Sequence, residues 1–150
     1  MIIAVDGPTA SGKGTIAKAL AAHYRLPHLD TGLLYRAVGR QVVLDGGDPD
    51  DSGDALAATT FPVGLLADPE LRSEAAGGLA SRVSVHASVR QALYERQRSF
   101  ALQPGGAVLD GRDIGTVIAP DACVLDTSHL DRDEAVAAAI GAVEEVLHGK

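Results

Sequence analysis

The stretch "IIAVDGPTASGKGT", residues 2–15, decides how the rest of the chain is read. Ile2 to Val5 is a continuous apolar run rich in β-branched residues, the pattern of a strand buried on both faces of a parallel sheet. Gly7 and Pro8 stop it just after Asp6. Gly7 to Lys13 then fits G-x-x-x-x-G-K. From Thr15 to Tyr24 the chain turns helical, with Ile16, Ala19, Leu20 and Tyr24 on one face. Strand, glycine loop and helix in that order are the context the motif requires. Glycines at positions 7 and 12 permit angles and close approach that a Cβ would block. The segment Gly7, Pro8, Thr9, Ala10, Ser11, Gly12, Lys13, Gly14, Thr15 can therefore aim its available N–H groups at an anion. The helix dipole favours the same charge, and Lys13 adds a point charge suited to β- and γ-phosphates.

Composition narrows what such a loop can serve. A chain of 150 residues buries roughly two-thirds of its unfolded surface and is expected to form a single domain without staples. Apolar residues make up 46% and aromatics only 3%, so Ala, Val, Leu and Ile must build the core. The lone cysteine, Cys123, excludes an intrachain disulfide and suits a reducing compartment. No basic n-region precedes the first apolar run, and no apolar run approaches the ~20 residues of a membrane span, so a cytoplasmic protein is expected. A formal charge of −7 disfavours broad binding to nucleic acid polymers, which requires displacement of counterions by a basic surface.

Further strands are expected at Leu26–Gly32, Gly105–Gly111 and "ACVLDTS" (residues 122–128), and helices over residues 33–45 (ending before Gly46 and Gly47), 88–102 and 131–148. Ser88 with Gln91, and Asp131 with Glu134, have capping-box spacing. Val136, Ile140, Val143 and Leu147 would line one face of the last helix, with Gly149 as its stop. Residues 48–78 carry weak signals for two short helices, broken at Pro62 and Pro69. Alternating strands and helices predict an α/β domain of P-loop type, three layers with a short, mainly parallel sheet of about four strands. The core would be residues 1–47 and 101–150, with the segment of about residues 48–100 between them. The five histidines lack metal-ligand spacing and read as surface or loop residues; Cys123 reads as a small buried hydrophobe.

Three more stretches point to one family. "GKGT" is the form found in nucleoside monophosphate kinases. "LDTGLLYRAV" (29–38), "SRVSVHASVRQAL…RQR" and "LDGRDIGTV" (109–117) follow in order and resemble the signatures of cytidylate kinases. The resemblance covers Met1 to about Asp121. It implies ATP as donor, Mg2+ as cofactor, CMP or dCMP as acceptor, and residues from about 48 to 100 as the acceptor-nucleotide-binding segment. It places Thr31 and Arg36 near the acceptor's base and phosphate, and Ser81, Arg90 and Asp113 at the cytosine. Arg112 would face the acceptor phosphate. Asp110 takes the place of a Walker B carboxylate, reaching magnesium through water. Catalysis falls to Lys13, Arg112 and Asp113. A Ser or Thr usually follows the loop lysine, but here Gly14 does, and the hydroxyl comes at Thr15.

The resemblance also breaks. After "TVIAPDA" the family continues into an arginine-rich lid, whereas this chain passes directly into "CVLDTSHLDRDEAV", with Arg132 the only arginine beyond Arg112. With the lid gone, "ACVLDTS" must take one of two vacated places beside the first strand and leave an exposed sheet edge. Family resemblance implies a monomer, and that edge offers a route to self-association. A rival reading is a lid-less nucleotide-binding paralogue or truncated product with little or no transferase activity. A kinase acting on a sugar or acid is a third, disfavoured by "DGRDIGTV".

Overall fold

A computed structural model describes residues 1–7, 13–111, 114–120, 122–126 and 132–148. The chain divides into two compact units, one of Met1–Thr31 with Gln97–Lys150, the other of Gly32–Arg96.

The first unit is built on four parallel strands. These are β1 (Ile2–Asp6), β2 (His28–Asp30), β3 (Ala107–Gly111) and β4 (Cys123–Asp126), in the order β2-β3-β1-β4. Ile3, Val5 and Val108 share one face and pack with Ile16, Ala17 and Leu20 of α1 (Lys13–Tyr24) and with Ala139 and Val143 of α6 (Arg132–His148). Ala4, Ala107 and Leu109 point the other way and are equally inaccessible, so β1 and β3 are covered on both faces, as parallel strands require. The α/β class and the four parallel strands expected from the sequence are both present. β4 pairs with β1 from Ile3↔Cys123 to Asp6↔Asp126, which settles the place of "ACVLDTS" at the edge beside the first strand. Tyr24 Oη donates to Glu144 Oε1 at 2.8 Å and ties α1 to α6.

Between β3 and β4 the chain makes a π-turn over Ile114–Ile118, closed by Ala119 N–H donating to Ile114 O at 2.7 Å. Gly115 is demanded there, because a Cβ would lie 2.1 Å from Val124 Cγ2 on β4.

The second unit is helical: α2 (Gly32–Leu44), α3 (Ser52–Ala58), α4 (Glu74–Val83) and the larger part of α5 (Ala87–Ala101). The weak stretch before α4 resolves into 3-10 turns at Val63–Ala67 and Pro69–Arg72. Asp51 caps α3 by accepting from Asp54 N–H, and Ser73 caps α4 by accepting from Ala76 N–H. Gly39 lets α2 and α4 touch backbone to side chain, since a Cβ would meet Leu79 Cβ at 2.6 Å. Arg96 stacks on Phe61, 3.8 Å from the ring centroid, and donates to Thr59 O at 3.1 Å.

Four local expectations need correction. Helix α5 starts at Ala87, so Ser88 lies inside the first turn and does not cap it. Leu147 is 47% exposed; Ala139 takes the buried position on α6 instead, because the buried stripe runs through 139 and 143. Cys123 is half-buried at the margin of the core. His28 is neither surface nor loop but a strand residue with a buried partner, described below. Asp131, Gly149 and His129 lie outside the described residues. Among the described residues, no helix is long and apolar enough to cross a membrane.

Candidate functional site

Strand alternation sorts the carboxyl edge of the sheet into two faces. Val5 registers with Asp110, and Asp30 registers with the same residue from the other side. Asp110 therefore shares the face of Val5 and Val108, the face that carries α1. It is only 1% exposed. A buried carboxylate must be satisfied, and His28 Nε2 donates to its Oδ2. His28 registers with Val108, so the two side chains meet diagonally across β2 and β3. Sequence reasoning missed this pair. A single histidine in a three-residue strand has no periodic signal, and its partner is 82 residues away.

Lys13 opens α1 and is half-buried; Gly14 follows, and Thr15 is exposed on the same turn. Gly7 stands directly after β1 and donates its N–H to Gly111 O at 3.2 Å, extending the β1–β3 ladder by one step. Pro8, Thr9, Ala10, Ser11 and Gly12 lie outside the described residues, as do Arg112 and Asp113. Thr31 sits between β2 and α2, and both its N–H (3.0 Å) and its Oγ1 (2.9 Å) donate to Asp110 O. Gly111 is pressed against it, because a Cβ there would lie 2.0 Å from Thr31 Oγ1. The first unit thus gathers Thr31, Asp110, Gly7, Gly111 and, beyond what was expected, His28 and Asp6. Asp6 accepts backbone N–H groups from Ile114 at 2.9 Å and Gly115 at 3.1 Å.

The second unit holds the other candidates. Arg36, on α2, donates through Nη1 to Leu71 O and Ser73 O, each at 2.9 Å. Arg90, near the start of α5, donates through Nη1 to Ser84 O and Val85 O, each at 2.9 Å. In both cases one nitrogen of the fork anchors the side chain on chain-turn carbonyls. Burial pushes the Tyr35 hydroxyl pKa upward, and the nearby Arg90 guanidinium works against it, so these two side chains sense each other. Ser81 is exposed on α4 and turns its hydroxyl back to Gly77 O at 3.3 Å.

A family model described as cytidylate kinase matches residues 3–135. Curated proteins named "Cytidylate kinase" are similar over most of the chain. One from Rhodopseudomonas palustris (strain BisB5) is 55% identical over 125 residues, 83% of this chain and 59% of the relative. One from Caulobacter sp. (strain K31) is 59% identical over 122 residues, covering 81% and 56%. One from Methylobacterium sp. (strain 4-46) is 57% identical over 125 residues, covering 83% and 60%. The chain spans less than two thirds of the length of the curated relatives it matches.

Proposed function

The chain belongs to the cytidylate kinase family, and on that premise we propose that it transfers the γ-phosphoryl group of ATP to CMP or dCMP, giving ADP and CDP or dCDP. The observation that carries the reading is the sheet edge itself. Lys13 begins α1 on the same sheet face that presents the buried Asp110, one strand over from the root of the glycine loop. That is the carboxyl edge where open α/β sheets take ligands.

The residues fit a magnesium-bound triphosphate. Among the described residues, nothing lies within 4 Å of where a Gly14 side chain would begin. Thr15 and Asp110 offer hard oxygens of the kind magnesium accepts, the second through water. When bound, magnesium would neutralise the β- and γ-phosphate oxygens. Lys13 and the loop amides would hold those phosphates, while His28 keeps the Asp110 carboxylate on the α1 face. Arg36 and Arg112 would bind the acceptor phosphate, with Thr31 beside it. Ser81, Arg90 and Asp113 would read the cytosine. The attacking oxygen is already an ionised phosphate, so the transfer rests on positioning and charge and needs no general base.

The test is CMP-dependent ADP formation by the purified protein, run beside calorimetric titration with ATP and CMP. Turnover that requires CMP and falls on the order of a hundredfold or more in Lys13→Ala supports the proposal. Binding of both nucleotides without turnover would support the rival reading of a nucleotide-binding protein. The absence of any arginine between Arg112 and Arg132 makes that outcome worth measuring directly.

A further inference from the structure

Helix α4 carries Gly77 and Gly78 in its interior, where each weakens a helix relative to alanine. Gly78 is exposed, and among the described residues nothing lies within 4 Å of where its Cβ would stand. Gly77 differs. A Cβ there would lie 3.1 Å from Arg36 Nη2 and 3.5 Å from both Cζ and Nη1 of the same arginine, so the guanidinium lies over the place a side chain would take. That fork cannot simply move aside. Its Nη1 donates to Leu71 O and Ser73 O, each at 2.9 Å, and Gly77 N–H donates to the same Ser73 O at 3.2 Å. Glycine and arginine thus converge on one carbonyl, whose lone pairs admit both donors.

Leu71 belongs to the 3-10 turn before α4, and Ser73 stands extended as the N-cap of that helix, so both carbonyls come from the break between the two elements. Gly39, nearly one turn along α2 from Arg36, admits Leu79 of α4 and so brings the break within the arginine's reach. With Nη1 spent on two carbonyls, the planar fork is held in one orientation. The N–H groups of Nη2 and Nε then remain to meet an oxyanion as a pair, the geometry a phosphate matches. We propose that Gly77 is a positioning residue for the acceptor: by carrying no side chain it lets the Arg36 fork rest on the Leu71 and Ser73 carbonyls, already set to receive the phosphate of a nucleoside monophosphate. The inference rests on the proposed function, in which Arg36 binds that phosphate. The loss of helix propensity at position 77 is offset by a fork that needs no reordering when the acceptor arrives.

The test sets Gly77→Ala and Gly77→Leu in the full chain beside Gly78→Ala and Gly78→Leu. Each protein is titrated calorimetrically with CMP and with ATP, and the Arg36 Nε–H signal is followed by nuclear magnetic resonance. Displacing a charged donor from its seat is expected to weaken CMP about threefold in Gly77→Ala and about tenfold or more in Gly77→Leu. ATP affinity should stay within about twofold in both, and the Arg36 signal should shift. The Gly78 variants add the same side chains to the same helix without meeting the fork. They should keep both affinities within about twofold and raise the thermal midpoint, since alanine and leucine are better helix formers than glycine. Gly77 variants that bind CMP as the Gly78 variants do, or that leave the Arg36 signal in place, would overturn the inference. Equal losses for CMP and ATP would do the same, because they mark a merely structural role. Should Gly77→Leu fail to fold, Gly77→Ala, which adds the single methyl, decides alone. Wild-type protein that binds ATP but no CMP would instead sink the proposed function, and this inference with it, before any glycine is changed.

Discussion

Asp110 is held from two directions at once: Thr31 takes its carbonyl with two donors, and His28 takes its carboxylate. With Asp110 only 1% exposed, water cannot replace a lost partner. His28→Ala should therefore cost about 1–3 kcal/mol, the penalty of an orphaned buried acceptor, measured by urea unfolding. A loss below a few tenths of a kcal/mol would mean that Asp110 finds another donor. Tyr24 allows a second test at this scale. Loss of solvent around its hydroxyl, then the hydrogen bond to Glu144, pushes its pKa up to about 12. The unfolded chain ionises this group at about 10, so the native state holds the proton over that interval. Its contribution to stability is complete below pH 10 and lost as pH rises from 10 to about 12. Tyr24→Phe should flatten the fall in stability across that window and remove one late tyrosine from the ultraviolet titration. Tyr35, raised by its own burial, stays in both curves. Identical curves for the two proteins would refute the assignment.

At the scale of elements, the placing of β4 has a steric consequence. Gly115 and Val124 meet so closely that a Cβ at 115 would stand 2.1 Å from Val124 Cγ2. Gly115→Ala should destabilise the protein by about 1–3 kcal/mol through overpacking. Val124 is 46% exposed, so Val124→Ala alone should cost less than about 1 kcal/mol. The double variant should recover most of the loss, a coupling that arises only if these groups touch. Strict additivity in thermal or urea unfolding would place β4 elsewhere. This contact also marks the limit of what the amino-acid pattern conveys. β1 and β3 are legible as apolar runs because burial on both faces removes polar residues from both. The G-x-x-x-x-G-K spacing is legible because it is local. That β4 pairs with β1 is a fact about residues 120 apart, such as Ile3 and Cys123, and no period within either strand encodes it. His28 and Asp6 escaped notice for the same reason, since each acts on a distant strand or turn. Ser88 was misread because a residue of capping type, in capping-box spacing, stands one position inside the helix it was expected to begin.

The molecule as a whole separates the candidate donor residues from most of the acceptor ones. Lys13, Thr15 and Asp110 belong to one compact unit, and Arg36, Ser81 and Arg90 to the other. A ligand that binds only the folded state must stabilise it in proportion to occupancy, whatever follows chemically. ATP with magnesium at a hundred times its dissociation constant should add about 2.7 kcal/mol. For a chain of this size that corresponds to a rise in the thermal midpoint of roughly 5–10 °C. Lys13 is half-buried at the start of α1, where a lysine opposes the helix dipole, so Lys13→Ala should leave the unliganded midpoint nearly unchanged. The same substitution should abolish most of the shift given by ATP, while leaving the shift given by CMP in place, because the acceptor residues are other ones. Scanning calorimetry with each nucleotide separately reads both effects. A Lys13→Ala protein that ATP stabilises as strongly as wild type would show that the triphosphate does not rest on the first turn of α1. Loss of the CMP shift in the same variant would show that the two nucleotides share one site, and the division of labour between donor and acceptor residues would fail with it.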